Sequence, residues 1–298
     1  MNKSILLFFV TMASFSSFAL AQSKNDVIHL IEGPMEVQVI EVGFNTIKYS
    51  FPNENTVYSI SKHQVSKIEF ASGREEVFNS PFKLVNGLDD FQNVYISYNP
   101  EDVVGLDPRG ELFSKATGVT TLSSINNVKN RAMDKLKAEA SMLGANVVLV
   151  GNVFQRGNQY GGENQAGNST QTTFSGTAYS TQKLDLEKAK SMLLDQSFHH
   201  YQTHKLNRNS WSPERAIATV YDKDRKPLMF EFDKLIEKED GVYVSASKIP
   251  TKTKELKVIH ADNEMVVVME RNDKIITNYI LISKDNKYFK NFASRVIL

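Results

Sequence analysis

The sequence predicts a multidomain α+β fold: a small N-terminal β-barrel, a central α/β domain and a C-terminal antiparallel β domain. Three observations predict it. Between Asp26 and Phe78, short alternating apolar runs are separated by turn residues. Between Ser123 and Gly144 the apolar period changes to three and four, then returns to strand-like spacing across one glycine. After Pro213, alternating runs resume, joined by Asp-, Asn- and Gly-containing hairpin turns. The expected boundaries are a leader at 1–21, the barrel at 22–80, the α/β domain at 81–183, a helical linker at 184–210 and the last domain at 211–298.

The leader places Lys3 before an apolar run from Ile5 to Val10 and closes on Ala19-Leu20-Ala21. This is the charged, apolar and small-residue order of a cleavable export signal. Its apolar core is too short to span a hydrocarbon layer of about 30 Å, so no transmembrane anchor is expected after cleavage, and Gln22 becomes the first residue. The chain has no cysteine. That excludes attachment as a lipoprotein, disulfides, thiolate nucleophiles and Cys-ligated metals. The expected location is therefore periplasmic or secreted. The formal net charge is +1, and basic and acidic residues nearly balance along the chain: 5 against 8 in 23–80, 13 against 12 in 81–210 and 16 against 14 in 211–298. No segment is a basic arm, so nucleic acid is not an expected partner.

In the first module, strands are predicted at Val27–Ile31, Met35–Val42, Thr46–Phe51, Thr56–Ile60 and Val65–Phe70, with turns at Gly33-Pro34, Gly43-Phe44-Asn45 and Ser72-Gly73. So many short strands in some fifty residues favour closure, which removes exposed edges. Asp26-x-Ile28-x-Leu30-x-x-Gly33, Val37-x-Val39-x-x-Val42 and Val65-x-x-Ile68-x-Phe70-x-x-Gly73 resemble small SH3-like or Sm-like barrels. The resemblance implies the fold; the acidic composition of this copy argues against RNA as its ligand.

In the second module, Ser123 or Ser124 caps a predicted helix with apolar positions Ile125, Val128, Ala132, Leu136, Ala140 and Leu143. Lys129, Arg131, Lys135, Lys137 and Glu139 fall elsewhere on the cylinder, and Gly144 ends it. Ala145–Val150 reads as a buried strand and Thr172–Tyr179 as a second, joined by a mobile hairpin loop rich in Gly, Asn and Gln. The run Ala132-x-x-x-Leu136-x-x-x-Ala140-x-x-Leu143-Gly144-Ala145-Asn146-x-Val148 resembles the helix-to-strand core of the RcsF-like and YbjQ-like families, with Val104-Gly105-Leu106 near their usual start. The resemblance implies α/β packing and, for RcsF-like members, envelope-stress sensing through protein contacts. This chain lacks the lipid-bearing cysteine and disulfides of that family.

Residues 184–208 are expected to begin as a helix through Leu186, Ala189 and Leu193, with a boundary near Trp211 before Pro213. Strands are predicted at Ala216–Tyr221, Leu228–Ile236, Val242–Ser247, Glu255–His260, Met265–Glu270 and Lys274–Ile282.

Candidate chemistry is sparse. His199, His200 and His204 are the densest metal-capable group, with His200 and His204 expected on one helix face, but a zinc or copper site needs further ligands and no His-Glu-x-x-His occurs. The simpler expectation is a solvated helix surface. Asp222-x-Asp224 lacks the glycine and terminal glutamate of a calcium loop and reads as a hairpin turn. Asp89-Asp90 reads as a solvated loop, because adjacent carboxylates seldom share one centre. The Gly-rich loop lacks a Gly-Lys-Ser ending, and no Gly-x-Ser-x-Gly occurs. No catalytic residue and no cofactor is expected. The expected function is that of an exported bacterial envelope protein with a non-catalytic binding, scaffolding or stress-related role and an envelope protein or surface component as partner. The alternative is a hydrolase whose site is assembled at a domain junction.

Overall fold

The computed structural model describes residues 25–290 apart from positions 32, 121, 122, 165, 183, 185, 211, 219, 220, 222, 225, 226, 233 and 248. The expected export signal at 1–21, Trp211 and Asp222 thus lie outside the described residues. Among those residues the chain is mostly β-sheet, arranged as sheets of six, four and eight strands, the last with one strand off its path, together with helices at Ile125–Met142 and Leu186–Asp195 and a helical turn at 287–290.

The first sheet contains β1 (Asp26–Leu30), β2 (Gly33–Val42), β3 (Thr46–Ser50), β4 (Tyr58–Ser61), β5 (Val65–Glu69) and β6 (Glu75–Val77), in the order β4-β3-β2-β1-β5-β6. The first half of β2 pairs with β1 and its second half with β3 across an irregularity at Val39 and Glu41. This bend gathers Ile28, Val37, Ile47, Ile60, Val65 and Ile68 into one small core. The expected barrel does not close: β4 and β6 remain the two edges. The last residue of β4 is tied to a neighbouring segment, because the Ser61 N–H donates to the Val104 carbonyl, which also accepts from the Gln64 side-chain amide just beyond the strand.

The second sheet comprises β7 (Tyr95–Ser97), β8 (Asp107–Thr117), β9 (Val147–Arg156) and β10 (Gln171–Ser180), in the order β7-β9-β10-β8. Only β7 and β9 are parallel. Helix α1 (Ile125–Met142) lies across β8 and β10. Its end is the predicted one. The Ala145 N–H donates to the Ala140 carbonyl and the Gly144 N–H to the Ser141 carbonyl, with Gly144 at φ +72°, which is the two-bond Schellman closure that a left-handed residue permits. The Gly-rich connection is partly laddered, since Gln159 and Asn168 form a bridge within it.

The linker expected at 184–210 is only half helical. Helix α2 spans Leu186–Asp195, and Phe198–Asn207 forms strand β11. The third sheet continues with β12 (Glu214–Ile217), β13 (Met229–Phe230), β14 (Leu235–Lys238), β15 (Gly241–Ser245), β16 (Glu255–Ala261), β17 (Met265–Arg271) and β18 (Ile275–Ser283). Its order is β12-β11-β18-β17-β16-β15-β14, with β13 paired to β11. The antiparallel meander from β14 to β18 is as predicted, but the single strand expected at Leu228–Ile236 is the two short strands β13 and β14. Strand β11 sits inside this sheet, because its register against β18 covers nine residues of the last hairpin.

Helix α1 is covered on two sides. Its Val128, Ala132 and Leu136 share a core with Phe174 and Val148 of the central sheet and also with Leu206, Met269 and Ile276 of β11, β17 and β18. Consequently Lys135 and Glu139, which the apolar period leaves elsewhere on the cylinder, are buried at the seam between the central and C-terminal sheets.

Candidate functional site

The seam opens into a cleft with two lobes of about 490 and 470 Å3 that share Phe113, Lys135 and Arg208. Helical spacing generates one wall, because Arg131, Lys135 and Glu139 recur every four residues and form a single stripe. The outer face of β8 supplies Phe113 and Lys115. The end of β11 supplies Arg208, and the β17–β18 turn supplies Arg271 and Lys274. That turn is shaped by the Asn272 side chain, whose oxygen accepts from the N–H groups of Lys274 and Ile275 at 3.1 and 2.9 Å.

Every inner polar group in the cleft is anchored. Lys135 Nζ donates to the carbonyls of Lys115 at 3.3 Å and Arg208 at 2.7 Å. Glu139 Oε2 accepts from the Phe113 N–H at 3.3 Å, while Oε1 lies 3.7 Å from Arg271 Nη2. Arg271 Nη2 also donates to the Glu111 carbonyl at 2.7 Å, and Arg131 Nη2 to the Thr117 carbonyl at 3.0 Å. The Arg208 guanidinium lies 5.4 Å from the centre of the Phe113 ring. Burial lowers the pKa of the Lys135 ammonium, partly opposed by Glu139. Burial also raises the Glu139 carboxyl, partly opposed by Arg271 and by the hydrogen bond from Phe113. Six basic residues (Lys115, Arg131, Lys135, Arg208, Arg271, Lys274) face two acidic ones (Glu139, Asp273) along the lining. The near-neutral sequence is thus folded into a locally cationic cleft, whose summed charge attracts anions.

The histidines are placed otherwise than expected. All three lie on strand β11 and are buried, so the solvated helix surface is corrected to a packed strand. A bulge between His200 and Gln202 reverses the alternation of faces. His200 stacks edge-on against Tyr279, and its Nε2 lies 3.0 Å from Thr203 Oγ1. His204, by contrast, is paired with Asn278 on the opposite face. The Nδ1 atom of His199 is 3.0 Å from the Leu228 carbonyl. Burial lowers the pKa of each ring, that of His200 to about 4 with further lowering by His199. Four residues apart would place His200 and His204 together on a regular strand; the inserted Tyr201 separates them. Among the described residues, no group of three or more His, Cys, Asp or Glu side chains is placed to hold a metal ion.

Asp89 and Asp90 diverge, as their adjacency suggested. Asp89 pairs with Arg215 at 3.1 Å, and Asp90 accepts from the Asn86 N–H at 3.1 Å. Sequence reading missed the cleft because its residues come from four separate elements. One signal was available: Ala138, Ala140 and Ser141 put small residues on several faces of α1, the pattern of a helix buried on more than one side. Among the described residues, no helix is long and apolar enough to cross a membrane. No family model, no curated protein and no solved structure matches this chain.

Proposed function

We propose that the chain is an exported, non-catalytic binding protein of the bacterial envelope that holds a phosphate- or carboxylate-bearing ligand in the cationic cleft. The observation that carries this reading is the convergence of six basic side chains on one cleft in a chain with no basic segment. The proposal includes three sequence-defined domains, periplasmic or secreted location after removal of 1–21, and kinship of the central unit with RcsF-like or YbjQ-like domains. Arg208, Arg271 and Lys274 line the opening and are exposed, which suits capture of an anion from solution.

A hydrolase assembled at the junction is the second reading, favoured by the opposite pKa displacements of Lys135 and Glu139 on one wall. The hydrogen bonding opposes it. The Lys135 ammonium is committed to two carbonyls, and Glu139 to an N–H and a guanidinium, so neither is poised to move a proton to a ligand.

Calorimetric titration with inorganic pyrophosphate tests the binding reading. Saturable binding that weakens with added salt and falls at least tenfold in the Arg208→Ala/Arg271→Ala double variant is the expected result. No binding, or binding indifferent to the double variant, refutes it. Turnover of p-nitrophenyl phosphate or p-nitrophenyl acetate that is abolished in Glu139→Gln would establish the catalytic reading instead. For export, mass spectrometry of an osmotic-shock fraction should find a mature chain beginning at Gln22.

A further inference from the structure

A second cavity, of about 360 Å3, lies between the segment around Asp89 and strands β11 and β18, on the side of the C-terminal sheet that carries His204. Two of its polar groups are anomalous. Nε2 of His204 and Oδ1 of Asn278 are buried and have no hydrogen-bond partner within the described protein, although the residues are only 4% and 2% exposed. A buried polar atom left without a partner is costly and uncommon, so two side by side on one wall require a reason. They are directly opposed across the β11–β18 ladder, which places their Cβ atoms about 5 Å apart.

The orientation of each group is constrained. The Asn278 amide nitrogen donates to the Met142 carbonyl at 3.0 Å, which leaves its oxygen as the outward acceptor. Burial lowers the pKa of the His204 ring and so disfavours its charged form, against the raising effect of Asp89 and with the lowering effect of Arg215. A neutral ring protonated at Nδ1 offers Nε2 as a second acceptor. No Lys or Arg is part of the lining, whereas Asp90 and Asp89 are, the latter paired with Arg215 at 3.1 Å. An apolar and aromatic strip of the wall is formed by Leu88, Met265 and Ile280 with the stacked pair Tyr201 and Tyr288, whose ring centres are 5.4 Å apart, and the side-chain amides of Asn86, Gln202 and Asn286 complete the lining. Acceptors at the base, carboxylates at the rim and an apolar wall match a donor-rich cation with a hydrocarbon body.

We propose that this cavity binds a small organic ammonium compound, its N–H groups donating to Asn278 Oδ1 and His204 Nε2 and its apolar body lying along Met265, Ile280 and the two tyrosines. The site is distinct from the cationic cleft and takes the opposite charge, so its occupancy does not depend on the proposed anion.

Phenethylamine serves as the probe, with phenylacetate and 2-phenylethanol as controls of similar size. Titration followed by calorimetry and by 15N spectra of histidine-labelled protein should show one saturable site for phenethylammonium, with the His204 Nε2 resonance shifted. Phenylacetate and 2-phenylethanol should each bind at least tenfold more weakly. Asn278→Leu should weaken phenethylammonium at least tenfold, and Asp89→Asn, at an exposed rim position whose ion pair with Arg215 is screened by solvent, about threefold at low salt. The Arg208→Ala/Arg271→Ala variant should leave it unchanged. Absence of binding, equal binding of phenylacetate, or unchanged affinity in Asp89→Asn together with an unmoved His204 resonance overturns the proposal. These last readouts decide it even if Asn278→Leu fails to fold.

Discussion

Replacing Gly144 by alanine tests the joint on which the central and C-terminal sheets depend. Two separate costs fall on that methyl group. The residue is held at φ +72°, where a side chain meets its own backbone, a penalty of roughly 1–2 kcal/mol. In addition, the new Cβ would lie 2.6 Å from Ile259 Cγ2 and 3.4 Å from the Ile259 carbonyl oxygen. Carbon atoms prefer about 3.5–4.0 Å, so β16 or the helix end must yield by about 1 Å, an overpacking cost of about 1–3 kcal/mol. A total of about 3 kcal/mol corresponds to a Tm lowered by about 6–12 °C at roughly 2–4 °C per kcal/mol. Differential scanning calorimetry of Gly144→Ala measures it, with Gly157→Ala as control, since a Cβ there meets nothing within 4 Å and its φ is not positive. Adding Ile259→Ala should recover the steric part but not the backbone part, giving a coupling of about 1–2 kcal/mol in the double-mutant cycle. A Gly144→Ala protein that melts with the wild type, or a cycle with no coupling, refutes the argument.

Three further outcomes follow from the buried charges and rings. Lys135→Met leaves the carbonyls of Lys115 and Arg208 without their donor and should cost about 2–3 kcal/mol in urea unfolding. Glu139 has a folded pKa above its unfolded value, so the native state holds its proton more tightly. Its contribution is complete below the unfolded pKa and is lost as pH rises through the folded one; the Tm difference between wild type and Glu139→Gln should therefore move against the wild type over that window. His200 has the opposite sign, with a folded pKa of about 4 against an ordinary 6.5. Its contribution is present above pH 6.5 and is lost as pH falls toward 4, so His200→Gln should flatten the acid limb of the stability profile in that window.

Much of the architecture was legible because its causes are local. The end of α1 at Gly144 follows from one residue that accepts a left-handed conformation, and the meander from β14 to β18 follows from alternation and hairpin turns written into adjacent residues. Strand β8 was not recognised, since its inward positions Leu112, Ser114 and Ala116 carry only one large apolar side chain. Strand β11 was read as a continuation of α2 because His199, His200 and His204 carry no strong period. It becomes a strand through pairing with β18, some seventy residues later.

The sequence by itself determined the cysteine-free, charge-balanced character of the chain, the amphipathic helix with its glycine stop, and the hairpins of the last sheet. Only the tertiary structure decided that the first sheet stays open, that the second face of α1 is covered, and that dispersed basic residues meet in one cleft. It also decided, through a single bulge at Tyr201, that His200 and His204 face opposite ways. Turns and periods depend on neighbours a few residues apart, whereas strand partners, helix cover and clefts depend on which distant apolar surfaces are buried together.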